Sequence, residues 1–235
     1  MRWFSILITL LTALPSIAHA QDGAVAVLYF ANQGNPELEP LKVGLAQMLI
    51  TDLQQSGDLT LVERTRIQDV LAEQQLVREG LVDSSTAARI GELTGARWLV
   101  MGTYFELMGS LRIDARVVSV DTGEIVYTAG ESAAPEAFLS LEQALATGLR
   151  GALQTAVIPK QAQLDPWGAT RGSEAPAVVV ASPDPEALDA ALRYSEGLMA
   201  MDEQDLPRAR EAFAAAVEAD PALTDAQAQL TALSM

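Results

Sequence analysis

The sequence predicts an α/β fold in which a mixed sheet is flanked by helices, followed by a small all-α helical hairpin domain. The spacing of apolar residues changes between strand-like and helix-like several times over residues 25–153. Two turns containing glycine then join three strand-like segments, which is typical of an antiparallel meander. The predicted order in the first domain is strand, helix, strand, two helices, three strands and a helix.

The first strand is predicted at Val25–Phe30, because an unbroken apolar run is typical of a central strand buried on both faces. An amphipathic helix follows and ends before Gly57. Its apolar face consists of Leu41, Leu45, Met48, Leu49 and Leu53. A short strand at Leu59–Val62 leads into a second helix, which ends near Gly80. A third helix begins at Asp83–Ser85, whose side chains are good N-caps.

The next three segments have strand-like composition and are joined by tight turns. They are Ala96–Leu107, Leu111–Val120 and Glu124–Thr128. In the second segment, apolar residues alternate with the polar residues Arg112, Asp114 and Arg116. This alternation predicts one sheet face beneath helices and one face in water. Pro135 then begins a long helix whose apolar face is Phe138, Leu141, Leu145, Leu149 and Leu153.

The chain divides into four predicted segments. Residues 1–20 have the charge, apolar run and small-residue cleavage site of a signal peptide. The α/β domain covers residues 21–158. Residues 159–184 are rich in proline and lack periodicity, which predicts an extended linker. We expect Trp167, which lies in this linker, to pack back on its own domain.

The last segment, residues 185–235, resembles a single tetratricopeptide repeat. The small, aromatic and proline positions that match are Gly197, Ala209, Phe213, Ala216 and Pro221. A polar turn at Asp202–Asp205 separates the two predicted helices, and a generic helical hairpin is the alternative interpretation. One repeat cannot bury its apolar faces alone, so these candidate protein-binding residues pack on the first domain, on a second copy or on a partner.

Composition excludes several classes of function. The chain has no cysteine, and its one histidine, His19, lies in the predicted signal peptide. Serine–histidine catalysis, cysteine proteolysis and ordinary zinc sites therefore lack their residues. The net charge of −16 opposes binding to nucleic acid or to an anionic membrane surface. Nothing in the pattern pairs the carboxylates of Glu63, Glu73 and Glu106, so we predict no catalytic, cofactor or metal site.

Four segments, in this order, resemble the core of the curli assembly and transport (CsgG) family. They are Val25-Ala-Val-Leu-Tyr-Phe, Leu61-Val-Glu-Arg, Leu71-Ala-Glu-Gln and Gly91-Glu-Leu-Thr-Gly-Ala-Arg-Trp-Leu-Val-Met-Gly102. The resemblance implies that Glu63 and Arg64 form a structural pair. Gly91, Gly95 and Gly102 are expected to allow tight turns and close packing. Because cysteine is absent, the chain departs from the lipoprotein members of the family and is not predicted to be one.

The resemblance also implies a setting at the bacterial envelope. We predict a non-enzymatic periplasmic assembly or scaffold protein that supports biogenesis or secretion of an envelope structure through protein–protein contacts. Its expected partners are envelope proteins, including further copies of itself, with peripheral association at the outer membrane left open. The alternatives are an oligomeric outer-membrane transport subunit and a periplasmic regulator of a cell-wall enzyme. Tight turns at Met108–Ser110 and Asp121–Gly123 leave no room for inserted membrane-crossing hairpins, so channel activity is not carried over.

Overall fold

A computed structural model of the protein describes residues 23–55, 57–74, 84–157 and 184–234. The predicted signal peptide lies outside the described residues, as do Gly80 and residues 159–183 of the linker with Trp167. Within the described residues the fold is α/β, with a mixed sheet flanked by helices, which confirms the predicted class.

The sheet has five strands in the described part of the chain. They are β1 (Val25–Val27), β2 (Ala31–Asn32), β3 (Trp98–Leu107), β4 (Ser110–Ser119) and β5 (Ile125–Ala133). Their order is β1-β3-β4-β5, and β2 also pairs with β3. Both β1 and β2 run parallel to β3, whereas β3, β4 and β5 form the predicted antiparallel meander. The sheet is therefore mixed, with β3 at its centre.

Seven α-helices surround or extend from this sheet in the described part of the chain. They are α1 (Leu41–Gln54), α2 (Arg64–Gln74), α3 (Ser84–Thr94), α4 (Phe138–Val157), α5 (Ala187–Asp202), α6 (Leu206–Ala219) and α7 (Thr224–Ala232). Helices α1 and α4 cover one sheet face, and α2 and α3 contact part of the other. Short 3-10 turns at Pro36–Leu38 and Pro135–Ala137 precede α1 and α4, since proline suits the first position of a helix.

Three predicted strands differ from those observed. The first is shorter than predicted, because β1 ends at Val27 and β2 begins only at Ala31, after the predicted strand. Between them Phe30 is buried with its ring against Gly102. The second predicted strand, Leu59–Val62, is reduced to one parallel bridge between Leu61 and Val25. Helix α2 begins three residues after Leu61 and leaves no room for a longer strand. The last strand extends to Ala133, as its small and polar residues pair with β4 despite their weak strand propensity.

The predicted alternation along β4 is confirmed. Its residues Leu111, Ile113, Ala115 and Val117 are buried in the larger core, beneath α1 and α4. The alternating polar residues lie on the opposite face and are half-buried. A smaller core on that face joins α2 and α3 to the β1 end of the sheet through residues such as Ala26, Ile67 and Ile90. Burial on two faces accounts for the unbroken apolar run of β1.

The three C-terminal helices pack on the first domain. Helix α5 crosses α1, where Gly44 lies directly against Ser195. Tyr194, Leu198 and Phe213 from these helices belong to the same apolar core as the side chains of α1 and α4. A single repeat was expected to pack on the first domain, on a second copy or on a partner. In the described residues the C-terminal helices pack on the first domain.

Replacing Gly44 with valine is expected to destabilise the protein by about 1–3 kcal/mol, because the new side chain overpacks the α1–α5 crossing. A Cβ at Gly44 would lie 3.1 Å from Ser195 Cβ and would also clash with Ser195 Oγ. Gly151→Val in α4 is the matched control, since a Cβ there meets nothing within 4 Å. Urea unfolding measures both variants. Equal stability of the two would contradict close packing of α5 on α1.

Candidate interaction surface

Arg64 joins the first domain to the C-terminal helices. It is the first residue of α2, and its side chain is 5% exposed. Its two terminal nitrogens donate to the carboxylate of Asp202 at 2.7 and 2.8 Å, and Nη1 also donates to the Tyr29 hydroxyl at 3.0 Å. Asp202 is the last residue of α5, 138 residues along the chain. A bidentate bond of this kind fixes geometry as well as charge.

The electrostatics of this contact favour the charged form of Arg64. Burial lowers the pKa of Arg64, but the hydrogen bonds to Asp202 and the nearby Tyr29 outweigh it, so the pKa is raised overall. Burial also raises the pKa of Tyr29, whose phenol therefore stays neutral and accepts the bond from Arg64. The group is a structural ion pair with a neutral acceptor beside it.

The structure places the two residues of the predicted Glu63–Arg64 motif differently, and their role as a structural pair stays a prediction. Arg64 bonds Asp202 and Tyr29, whereas the Glu63 side chain is exposed immediately before α2. The physical reason is that the first turn of α2 directs Arg64 inward, where only a buried carboxylate can neutralise it. Arg64 therefore connects α2 to the C-terminal helices through Asp202.

The three glycines singled out by the sequence lie at close contacts or at a turn. Gly91 in α3 and Gly102 in β3 each leave no space for a Cβ, which would clash with Val120 in the first case and with Phe30 in the second. Gly95 follows the last residue of α3 with a φ of +74°, a backbone conformation that L-residues rarely adopt. These positions shape the packing of α3 and β3.

The residues predicted to bind protein in the tail lie at the contact between α5 and α6. Phe213 is fully buried, and its ring lies over Gly197, where a Cβ would clash with it. The Tyr194 ring is 5.8 Å from that of Phe213, at a tilt of 45°. Ala209 and Ala216 are also fully buried, whereas Pro221 is exposed just after α6 ends. The packing is that of a helical hairpin, and the repeat assignment stays a prediction.

A second set of residues forms what we call the polar sheet face. It lies on the side of the sheet opposite α1 and α4, in three cross-strand rows read from the strand register. Its members are Thr103, Phe105, Arg112, Asp114, Arg116, Thr128 and Ser132. All of them are half-buried or exposed. Because neighbouring side chains on one face of a sheet contact each other, these residues form one mainly polar surface that includes the ring of Phe105.

The cations of the polar sheet face differ in their partners. Arg112 donates to both carboxylate oxygens of Asp114, at 2.9 and 2.6 Å, and to Ser132 Oγ at 3.2 Å. Arg116 occupies the next row, and its buried Nε has no hydrogen-bond partner among the described residues. Arg116 as a whole is half-buried, and a guanidinium can bind a carboxylate through its terminal nitrogens.

Sequence reasoning missed Asp202 and Tyr29 as partners of Arg64. Asp202 was assigned to a polar turn, although its position at the end of a predicted helix is compatible with burial of the side chain. Nothing in a single sequence indicates a contact across 138 residues. The described residues contain no group of three or more side chains that could hold a metal ion, and none of their helices is long and apolar enough to cross a membrane.

Solved structures with a similar fold are distant in sequence. The LpoB C-terminal domain from Escherichia coli has a TM-score of 0.41 at 19% identity, covering 48% of this chain and 83% of that chain. Lipoprotein GNA1162 from Neisseria meningitidis has a TM-score of 0.42 at 16% identity, and the match covers 60% of this chain and 98% of that chain. The PelC dodecamer from Paraburkholderia phytofirmans has a TM-score of 0.34 at 13% identity, and the match covers 57% of this chain and 89% of that chain. At these TM-scores the likenesses carry no argument about this chain.

The sequence comparisons are more specific for one part of the chain. No curated protein matches the sequence. A family model, described as curli production assembly/transport component CsgG, matches residues 11–107. That range contains β1, α1, the Arg64 motif, all of β3 and the three glycines Gly91, Gly95 and Gly102. The chain is thus confirmed to resemble the CsgG family over residues 11–107.

Proposed function

We propose that this protein is a non-enzymatic periplasmic scaffold that supports assembly or secretion of an envelope structure through protein–protein contacts. The observation that carries the proposal is the CsgG match over residues 11–107. The acidic composition and the absence of cysteine agree with a role in binding rather than in thiol chemistry. The signal peptide predicted at residues 1–20 supports the periplasmic setting.

The polar sheet face is the surface we assign to the partner. Helix α5 packs against α1 inside the protein, so this part of the C-terminal helices is not exposed to a partner. On the polar sheet face, by contrast, Arg116 lies beside the exposed Arg112–Asp114 ion pair. An ion pair at the surface costs little to separate. A partner that contributes a carboxylate opposite Arg116 fits this surface.

The test is co-purification from cell-envelope extracts with tagged wild-type protein and two charge-reversal variants. Arg116→Glu is expected to lose the partners that wild type retains, because the new carboxylate repels that of the partner. Arg208→Glu, which changes an exposed arginine on α6, is the matched control and is expected to retain them. Retention of every partner by Arg116→Glu would contradict the assignment of the sheet face.

Light scattering on the same protein, purified without detergent, tests the alternative functions. A monomer or dimer is expected for a scaffold or for a regulator of a cell-wall enzyme. A large closed ring, or protein that stays in solution only with detergent, would contradict the scaffold proposal and favour an outer-membrane transport subunit.

A further inference from the structure

Strand β5 forms one edge of the sheet in the described part of the chain. It pairs with β4 along one side, and no described strand pairs with its other side. The opposite edge of the sheet differs, because β1 is bonded there by the segment that follows α1. Val25 of β1 donates to the Thr60 carbonyl and accepts a bond from the Val62 N–H. Among the described residues, the outer side of β5 is therefore an open edge.

The direction of each backbone group on β5 follows from the hydrogen bonds of β4. Ser119, the last residue of β4, donates its N–H to the segment just before β5. Directions alternate along a strand, so every second residue of β4, back to Leu111, also bonds to β5. The residues of β5 that receive these bonds are Tyr127, Ala129, Glu131 and Ala133. Thr128, Gly130 and Ser132 therefore direct their N–H and C=O groups outward, and no described residue is hydrogen-bonded to those groups.

Strand β5 has few of the features that keep an edge strand from pairing with another chain. Such features include short length, proline, lysine and bulges. Strand β5 is nine residues long, contains neither proline nor lysine, and has one charged side chain, Glu131. Its register shift leaves Val126 as the extra residue near the start, and Tyr127–Ala133 run regularly along β4. Ile125 and Val126 are also exposed apolar residues. The strand is therefore suited to receive a further strand.

Charge limits where a second copy of this chain can approach the first. Each copy has a net charge of −16, so two copies repel each other over most of their surfaces. Strand β5 carries a single charge, and the Arg112–Asp114 pair beside it is neutral as a unit. Helix α4, which packs on β5, has no charged residue at the positions that the structure describes as exposed. Two copies can therefore meet at this edge without a large electrostatic cost.

We propose that β5 pairs antiparallel with β5 of a second copy, so that the two sheets join across a two-fold axis. Outward backbone groups must face outward backbone groups, and the strands overlap over their whole length when Ala129 lies at the axis. Thr128 is then opposite Gly130 of the second copy. Glu131 is opposite the Tyr127 phenol, so like charges do not face each other. Because both copies use the same strand, the pairing closes as a dimer and needs no other protein, which makes it independent of the proposed function.

Sedimentation velocity of the purified chain at several concentrations tests the dimer. Thr128→Pro is expected to weaken it by about tenfold or more, because proline removes an outward N–H from each copy and leaves the bonds to β4 in place. Thr224→Pro is the matched control and is expected to dimerise like wild type, since proline suits the first residue of α7. A wild-type chain that stays monomeric, or a Thr128→Pro dimer as stable as wild type, would overturn the proposal and leave the edge to a strand from another protein.

Cysteine crosslinking tests the register and serves if Thr128→Pro does not fold. The chain has no cysteine of its own, so a single introduced cysteine gives an unambiguous signal. Ala129→Cys is expected to form a disulfide-linked dimer under mild oxidation, since opposite Cα atoms in an antiparallel pair lie about 4.5–5.5 Å apart, within disulfide range. Ala133→Cys is the matched control and is expected to stay monomeric on a non-reducing gel, because its two copies would lie roughly 25 Å apart. Equal crosslinking of both variants, or of neither, would overturn the pairing.

Discussion

Arg64→Ala is expected to lower the free energy of unfolding by about 3–5 kcal/mol, the range for breaking a buried ion pair by removing one partner. The substitution leaves the Asp202 carboxylate, 14% exposed, without its two charge-assisted bonds. It also removes the donor to the Tyr29 hydroxyl. Chemical denaturation followed by circular dichroism measures the change.

Arg66→Ala is the matched control for this substitution. Arg66 lies two residues further along α2, and its exposed side chain donates to the Leu93 carbonyl at 3.3 Å. We expect its replacement to change stability by no more than about 0.5 kcal/mol, as is usual at the surface. A double-mutant cycle with Asp202→Ala then isolates the coupling, expected at about 0.5–3 kcal/mol. Zero coupling would show that the two side chains do not stabilise each other.

Phe213→Ala is expected to cost about 3–5 kcal/mol, the range for deleting a fully buried aromatic side chain. The ring fills the space over Gly197 and lies against the Tyr194 ring, so its removal leaves a cavity there. Leu206→Ala on the same helix is the control, because Leu206 is 52% exposed. Urea unfolding compares the two. A Phe213→Ala variant as stable as Leu206→Ala would mean that Phe213 does not anchor the hairpin.

The order of strands and helices could be predicted because it depends on local periodicity. The apolar faces of α1 and α4, at residues such as Leu45 and Leu149, are visible as spacings within one helix, and both residues are fully buried. Strand β5 was predicted too short because residues 129–133 have little strand propensity of their own. Its pairing with β4 supplies the missing hydrogen bonds.

The candidate sites were less predictable because their residues come from distant parts of the chain. Arg64 was recognised as structural, but the choice of Asp202 over the adjacent Glu63 depends on how α5 packs on α1. Periodicity reports which face of a helix is buried, and it does not report which other helix buries that face.

The parallel pairing of β1 with β3 has a consequence for how the chain folds. Val25 pairs with Trp98, about seventy residues later, so before β3 has been synthesised the first strand can form only its single bridge to Leu61. The bond between Arg64 and Asp202 closes a loop of 138 residues and forms later still. Loop closure of this size costs entropy before contacts repay it, so contact order predicts slow folding. The nascent protein must therefore keep an apolar N-terminal strand from aggregating at least until β3 is available.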